Sequence, residues 1–100
     1  MSAEAYVTAS DAEILASLGK RLRALRRARG FTQEEAAARA GLARSTISEA
    51  ENGENPTLHT VIRLLRVYGG LAALESFIPE PEVSPMARLR ARRAAEGRGG

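Results

Sequence analysis

The sequence predicts an all-α fold, on three observations. Aromatic residues make up only 4% of the 100 residues and alanine is plentiful, a composition that favours helices over strands. Two capping-box signatures, Ser10 with Glu13 and Thr32 with Glu35, each stand where a helix would open. Apolar residues recur at helical spacing between glycines and prolines, as in Leu15, Leu18, Leu22 and Leu25.

Taken in order, residues 1–9 show no periodicity and are expected to form a flexible arm. A first helix is expected from Ser10 to near Gly30, with Arg26, Arg27 and Arg29 in its last turns, where cations suit the macrodipole. Thr32 caps a short second helix over 33–40, and Gly41 is placed to end it in the left-handed conformation. Leu42 is expected to plug the core within the turn. A third helix is expected over 44–51, closed by Asn52 and Gly53. Thr57 caps a fourth, on which Leu58, Val61, Ile62, Leu65 and Tyr68 are expected to share a face, with Gly69 and Gly70 ending it. Residues 71–78 are expected to form a short fifth helix, with Leu71, Leu74 and Phe77 or Ile78 inward. Three prolines in residues 79–85 predict an extended linker. Ser84 and Pro85 then suit the start of a last helix, from 86 to about 95, with little to bury. The expected organisation is an arm over 1–9, a domain over 10–78, a linker over 79–85 and a basic tail over 86–100, a marginal helix or disordered.

The chain is of single-domain length. It has no run of 18 or more apolar residues to span a membrane, and its N-terminus shows no secretory pattern. It contains no cysteine and a single histidine, His59. Disulfides and thiolate metal sites are therefore excluded, no metal or other cofactor is expected, and no nucleophile–base pair can be assembled, so an enzyme is not expected. These features suit an intracellular, cytoplasmic protein. The net charge of +3 is unevenly spread. Residues 20–29 hold six basic side chains and no acidic one, and residues 86–100 hold five arginines against one glutamate. Concentrated positive charge suits a polyanionic partner, or else a solvated helix face and a solubilising tail.

The informative segment is residues 31–53, FTQEEAAARAGLARSTISEAENG. Two short helices flank a tight glycine turn, and the second opens with an arginine and small polar residues. A helix-turn-helix is built this way: the first helix crosses the DNA backbone and the second enters the major groove N-terminus first. Ala37 stands where the two helices approach closely, and Ile47 points inward. Arg44, Ser45 and Ser48 lie near one outward face, being separated by one turn or three residues.

The segment resembles the phage-repressor, or Xre-type, helix-turn-helix family. The matching residues are Thr32, Gln33, Glu34 and Glu35; Ala37; Gly41; Ser45, Thr46, Ile47 and Ser48; Glu51, Asn52 and Gly53; and Asn55, Pro56, Thr57 and Leu58. The resemblance covers roughly residues 14–78. It implies a compact five-helix bundle in which helices 2 and 3 form the motif. It implies that Gln33, with nearby backbone N–H groups, grips a phosphate, a role extended to Thr46 and Asn52. It implies that Arg44, Ser45 and Ser48 face base edges, with the Arg44 fork suited to guanine. It also implies an ion pair between Arg26 and Glu51. Three positions depart from the family pattern. Ala36 and Ala50 stand where a larger apolar residue is common, so the core around the motif is expected to be thin. Glu49 stands outward where Gln, Lys or Arg is common; among base readers it suits only a cytosine amine, and otherwise a rim position beside Arg44 or Arg39.

The expected function is a sequence-specific double-stranded DNA-binding regulator, a repressor acting as a homodimer on an operator. The fifth helix and its Phe77–Ile78 end are the expected dimer surface. The alternative is an antitoxin that binds its own promoter and neutralises a toxin through its C-terminal region, and a protein-interaction adaptor that has lost DNA is a third class.

Overall fold

The computed structural model describes residues 1–82 and 84–99, with side chains described up to residue 97. Residue 83 of the expected linker and residue 100 of the tail lie outside them. All regular structure among the described residues is helical: α1 Ala3–Thr8, α2 Asp11–Ala28, α3 Gln33–Ala40, α4 Arg44–Glu51, α5 Leu58–Tyr68, a 3₁₀ turn Leu71–Glu75, and α6 Pro85–Gly99. The helix-turn-helix is α3 and α4. No helix of the described residues is long and apolar enough to cross a membrane.

The helix starts follow from their caps. Ser10 accepts from the Glu13 N–H at 3.1 Å while the Glu13 carboxylate accepts from the Ser10 N–H at 3.3 Å. Thr32 and Glu35 repeat the arrangement at α3. Two orphan donors are satisfied in each box. Thr57 caps α5 through the Thr60 N–H. Gly41, at φ 67°, lets the chain leave α3 in the left-handed conformation that a Cβ would strain.

The core is small and rich in alanine. Leu22, Ala36, Ala37, Ala40, Ile47, Ala50, Leu64 and Tyr68 are buried, with Phe31, Leu42, Leu65 and Val67 packed at the edge. Ala36 and Ala50 are fully buried, so their small size draws the helices together. Leu64 and Tyr68 reach in from α5 to fill the middle. Gly19 makes the tightest approach to another element's backbone: a Cβ there would lie 2.5 Å from the Glu51 carbonyl oxygen and 2.7 Å from that of Ala50. The α2–α4 contact therefore requires glycine at this position.

Three elements differ from the sequence reading. Residues 3–8 are helical, not an irregular arm: Ser2 caps the Ala5 N–H, Glu4 lies in the first turn, and the Tyr6 hydroxyl meets Ser17 Oγ at 3.2 Å. Six residues are too few for periodicity to show in the sequence. The expected fifth helix is a 3₁₀ turn over Leu71–Glu75. The buried stripe of α5 is Thr60, Leu64 and Tyr68, spaced one turn apart, whereas Leu58 is half exposed. Val61 and Leu65 instead line a groove that α5 shares with α2 and the 3₁₀ turn, which also leaves Leu18 and Leu25 partly exposed. The tail holds α6, opened by the Ser84 side chain accepting from the Ala87 N–H at 3.2 Å. Apart from half-buried Ala87, every α6 side chain up to residue 97 is exposed.

Candidate nucleic-acid interface

The site is built on α4 and the start of α3. Arg44, Ser45 and Glu49 are exposed on α4, Ser48 and Thr46 are half-buried, and Asn52 is exposed at the C-cap. Ile47 and Ala50, fully buried between them, anchor the inner face of the same two turns. The polar face is thus held in place by the burial of the apolar one. At the N-terminus of α4 the cap residue is Ala43, and no side chain caps the helix. Its first N–H groups are left for an outside acceptor, and the macrodipole makes that end attractive to anions.

A network around Glu51 locks α4 to its neighbours. Its carboxylate accepts from Arg26 Nε at 2.7 Å and Arg26 Nη2 at 3.0 Å, from Arg23 Nε at 3.2 Å and from Gln33 Nε2 at 3.4 Å. Arg26 also donates to the Phe31 carbonyl at 2.7 Å, tying the α2–α3 loop into the same group. Burial alone would push the Glu51 carboxyl up, but the hydrogen bonds from Arg26 and Gln33 prevail and hold it below its ordinary value. The Arg26 guanidinium, held chiefly by its hydrogen bond to Glu51, is raised in turn.

Gln33 is therefore not an isolated surface amide. One of its amide hydrogens points to Glu51, which leaves the second for a partner outside the fold. Glu49 forms no ion pair with Arg44 or Arg39: among the described residues only Arg23 and Arg26 pair with a carboxylate, both with Glu51. Arg39 lies instead 4.4 Å from the centroid of the Phe31 ring. Sequence reasoning left Arg23 on a solvated face or grazing DNA and did not bring it to Glu51. Its spacing of three from Arg26 on one helix was the available signal. Gly19 was overlooked, because a glycine inside a helix looks like a mere cost until its neighbour is known.

Among the described residues no group of His, Asp and Glu is placed to hold a metal ion. No curated protein matches the chain. The helix-turn-helix family model matches residues 22–73, which is over half the chain and takes in α3, α4 and α5. The arrangement of α3, its glycine turn and α4 together with that match makes the chain a member of the helix-turn-helix family, of the Xre type its sequence resembles, and a DNA-binding transcription regulator.

Proposed function

We propose that the chain is a repressor that binds an operator duplex as a homodimer, with α4 of each copy in the major groove. The observation that carries this reading is the uncapped N-terminus of α4, which carries exposed Arg44 and Ser45 in its first turn. Arg44 reads guanine through its fork, Ser45 and Ser48 contact neighbouring edges, and Glu49 accepts from a cytosine amine. Gln33, Thr46 and Asn52 hold phosphates and set the register. One such helix covers only a few base pairs, so two are needed for useful affinity. The second copy docks on the groove of about 470 Å³ bordered by Leu18, Leu25, Leu58, Leu74 and Phe77. Phe77 is 54% and Ile78 68% exposed beside it. A place in the cytoplasm, on the nucleoid, follows from this role.

The direct experiment is selection of bound duplexes from a random pool. Two inverted half-sites about one helical turn apart, roughly 34 Å, are expected. Enrichment of a single undivided site, or of none, would overturn the dimeric reading. A second reading, the antitoxin, is favoured by α6, a helix whose Arg88, Arg90, Arg92 and Arg93 are all exposed. Deleting residues 86–100 separates the two. A flatter salt dependence of DNA binding assigns the tail to phosphate. An unchanged dependence, with lost affinity for a toxin encoded beside the gene, assigns it to that partner.

A further inference from the structure

A second concavity, about 410 Å³ in volume, lies between the C-terminal half of α3 and α5. Arg39 enters it from α3, and His59, Arg63 and Arg66 from α5, over a floor that includes Ile62 and Val67. Residues 59, 63 and 66 are spaced by four and three, so α5 presents all of them on one face. No carboxylate lines the cleft. Among the described residues, none of its arginines pairs with one. Glu35, one turn before Arg39, is instead drawn back to the Thr32 N–H at 3.3 Å.

The cleft is also preset. Arg63 donates from Nη1 to the Ala40 carbonyl at 2.9 Å and from Nε to His59 Nε2 at 3.2 Å. Both bonds hold the guanidinium in one place and leave its Nη2 donors unused. Arg39 is steadied over the Phe31 ring. Holding three guanidinium groups around one concave surface costs mutual repulsion, which a bound anion relieves. The fork of a guanidinium fits phosphate oxygens two at a time, and the volume falls within the range of small-ligand pockets.

We propose that this cleft is a phosphate-binding site, formed by Arg39, Arg63 and Arg66 and separate from the reading face of α4. The phosphate comes from a small phosphorylated molecule or from the duplex backbone beyond the contacts of Gln33, Thr46 and Asn52. Either source acts beside the motif's turn, because Arg63 Nη1 lies 2.9 Å from where a Cβ on Gly41 would stand. A ligand held by the free Nη2 donors of Arg63 therefore sits beside its bond to the end of α3.

The test titrates the full chain, without DNA and at low salt, with pyrophosphate. The comparison is the double variant Arg39→Gln/Arg66→Gln, whose positions are both exposed and make no backbone hydrogen bond through their side chains. Saturable one-site binding is expected, at least tenfold weaker in the variant, with amide shifts centred on residues 39–41 and 59–67. Should the double variant unfold, Arg66→Gln alone carries the comparison. A parallel salt titration of duplex binding identifies the source. A slope smaller by about two units in the variant assigns the site to backbone phosphate, and an unchanged slope assigns it to a small anion. Absence of saturable pyrophosphate binding, or equal affinity in the variant, overturns the proposal.

Discussion

Arg26 grips Glu51 at two points, Nε to Oε2 at 2.7 Å and Nη2 to Oε1 at 3.0 Å, across the contact between α2 and α4. Both side chains are almost wholly removed from solvent. The pair fixes the orientation of α4 against α2. Its net stability is smaller than its geometry suggests, because both charges were taken out of water to make it.

The first prediction follows from that asymmetry. Glu51→Gln should destabilise the fold by about 3 kcal/mol, since it leaves Arg26 buried without its counter-charge. The double variant Arg26→Met/Glu51→Leu should be less damaging than either single change. Urea unfolding of the three variants measures it. Additive losses would mean that the two residues do not act as a unit.

The same carboxylate sets the acid limit of stability. Its pKa is lowered on folding, so its contribution is full above the unfolded value of about 4.3 and is lost as pH falls through the lower folded value. The wild type should lose stability over that window more steeply than Glu51→Gln, as followed by unfolding at fixed pH values. Parallel curves would place the acid-labile group elsewhere.

Tyr68 sets the alkaline limit. Its hydroxyl is buried with no hydrogen-bond partner, and burial pushes its pKa from 10.0 up to about 12. A raised folded value means stability that is complete below pH 10 and falls as pH rises from 10 to 12, by on the order of 2 kcal/mol. Tyr68→Phe should remove that step. It should also stabilise the protein at neutral pH by about 1 kcal/mol, the cost of an unpaired buried hydroxyl. Loss of stability on this substitution would show that the hydroxyl is satisfied in solution.

Gly19 supplies a prediction whose sign opposes helix propensity. Alanine for glycine inside a helix ordinarily stabilises by roughly 0.5–1 kcal/mol. Here the new Cβ would meet the Glu51 carbonyl oxygen at 2.5 Å, so α2 and α4 must move apart. Overpacking of this kind costs about 1–3 kcal/mol. A lower melting temperature for Gly19→Ala is expected. A higher one would mean that the close approach does not exist.

The elements most legible in the sequence were those with local causes. Ser10 with Glu13, Thr32 with Glu35, and Gly41 act over three or four residues, so their patterns mark helix ends directly. The motif itself was readable because its two helices are adjacent in the chain. What escaped depends on distant partners. The register of α5 puts Thr60 and Leu64 inward because α2 and the 3₁₀ turn leave its Leu58 side as an open groove. Periodicity alone fits either face on a helix so rich in apolar residues. Likewise, Gln33 reads as a free amide until α4 brings Glu51 beside it. The cluster of Arg39, Arg63 and Arg66 forms only when α3 packs on α5.

The central claim is that α4 reads a duplex through Arg44, and the affinity of Arg44→Ala for the selected operator tests it most directly. A loss of about 1–3 kcal/mol is expected, confined to the specific site, with non-specific binding and helix content unchanged. Unchanged affinity for the operator would contradict it.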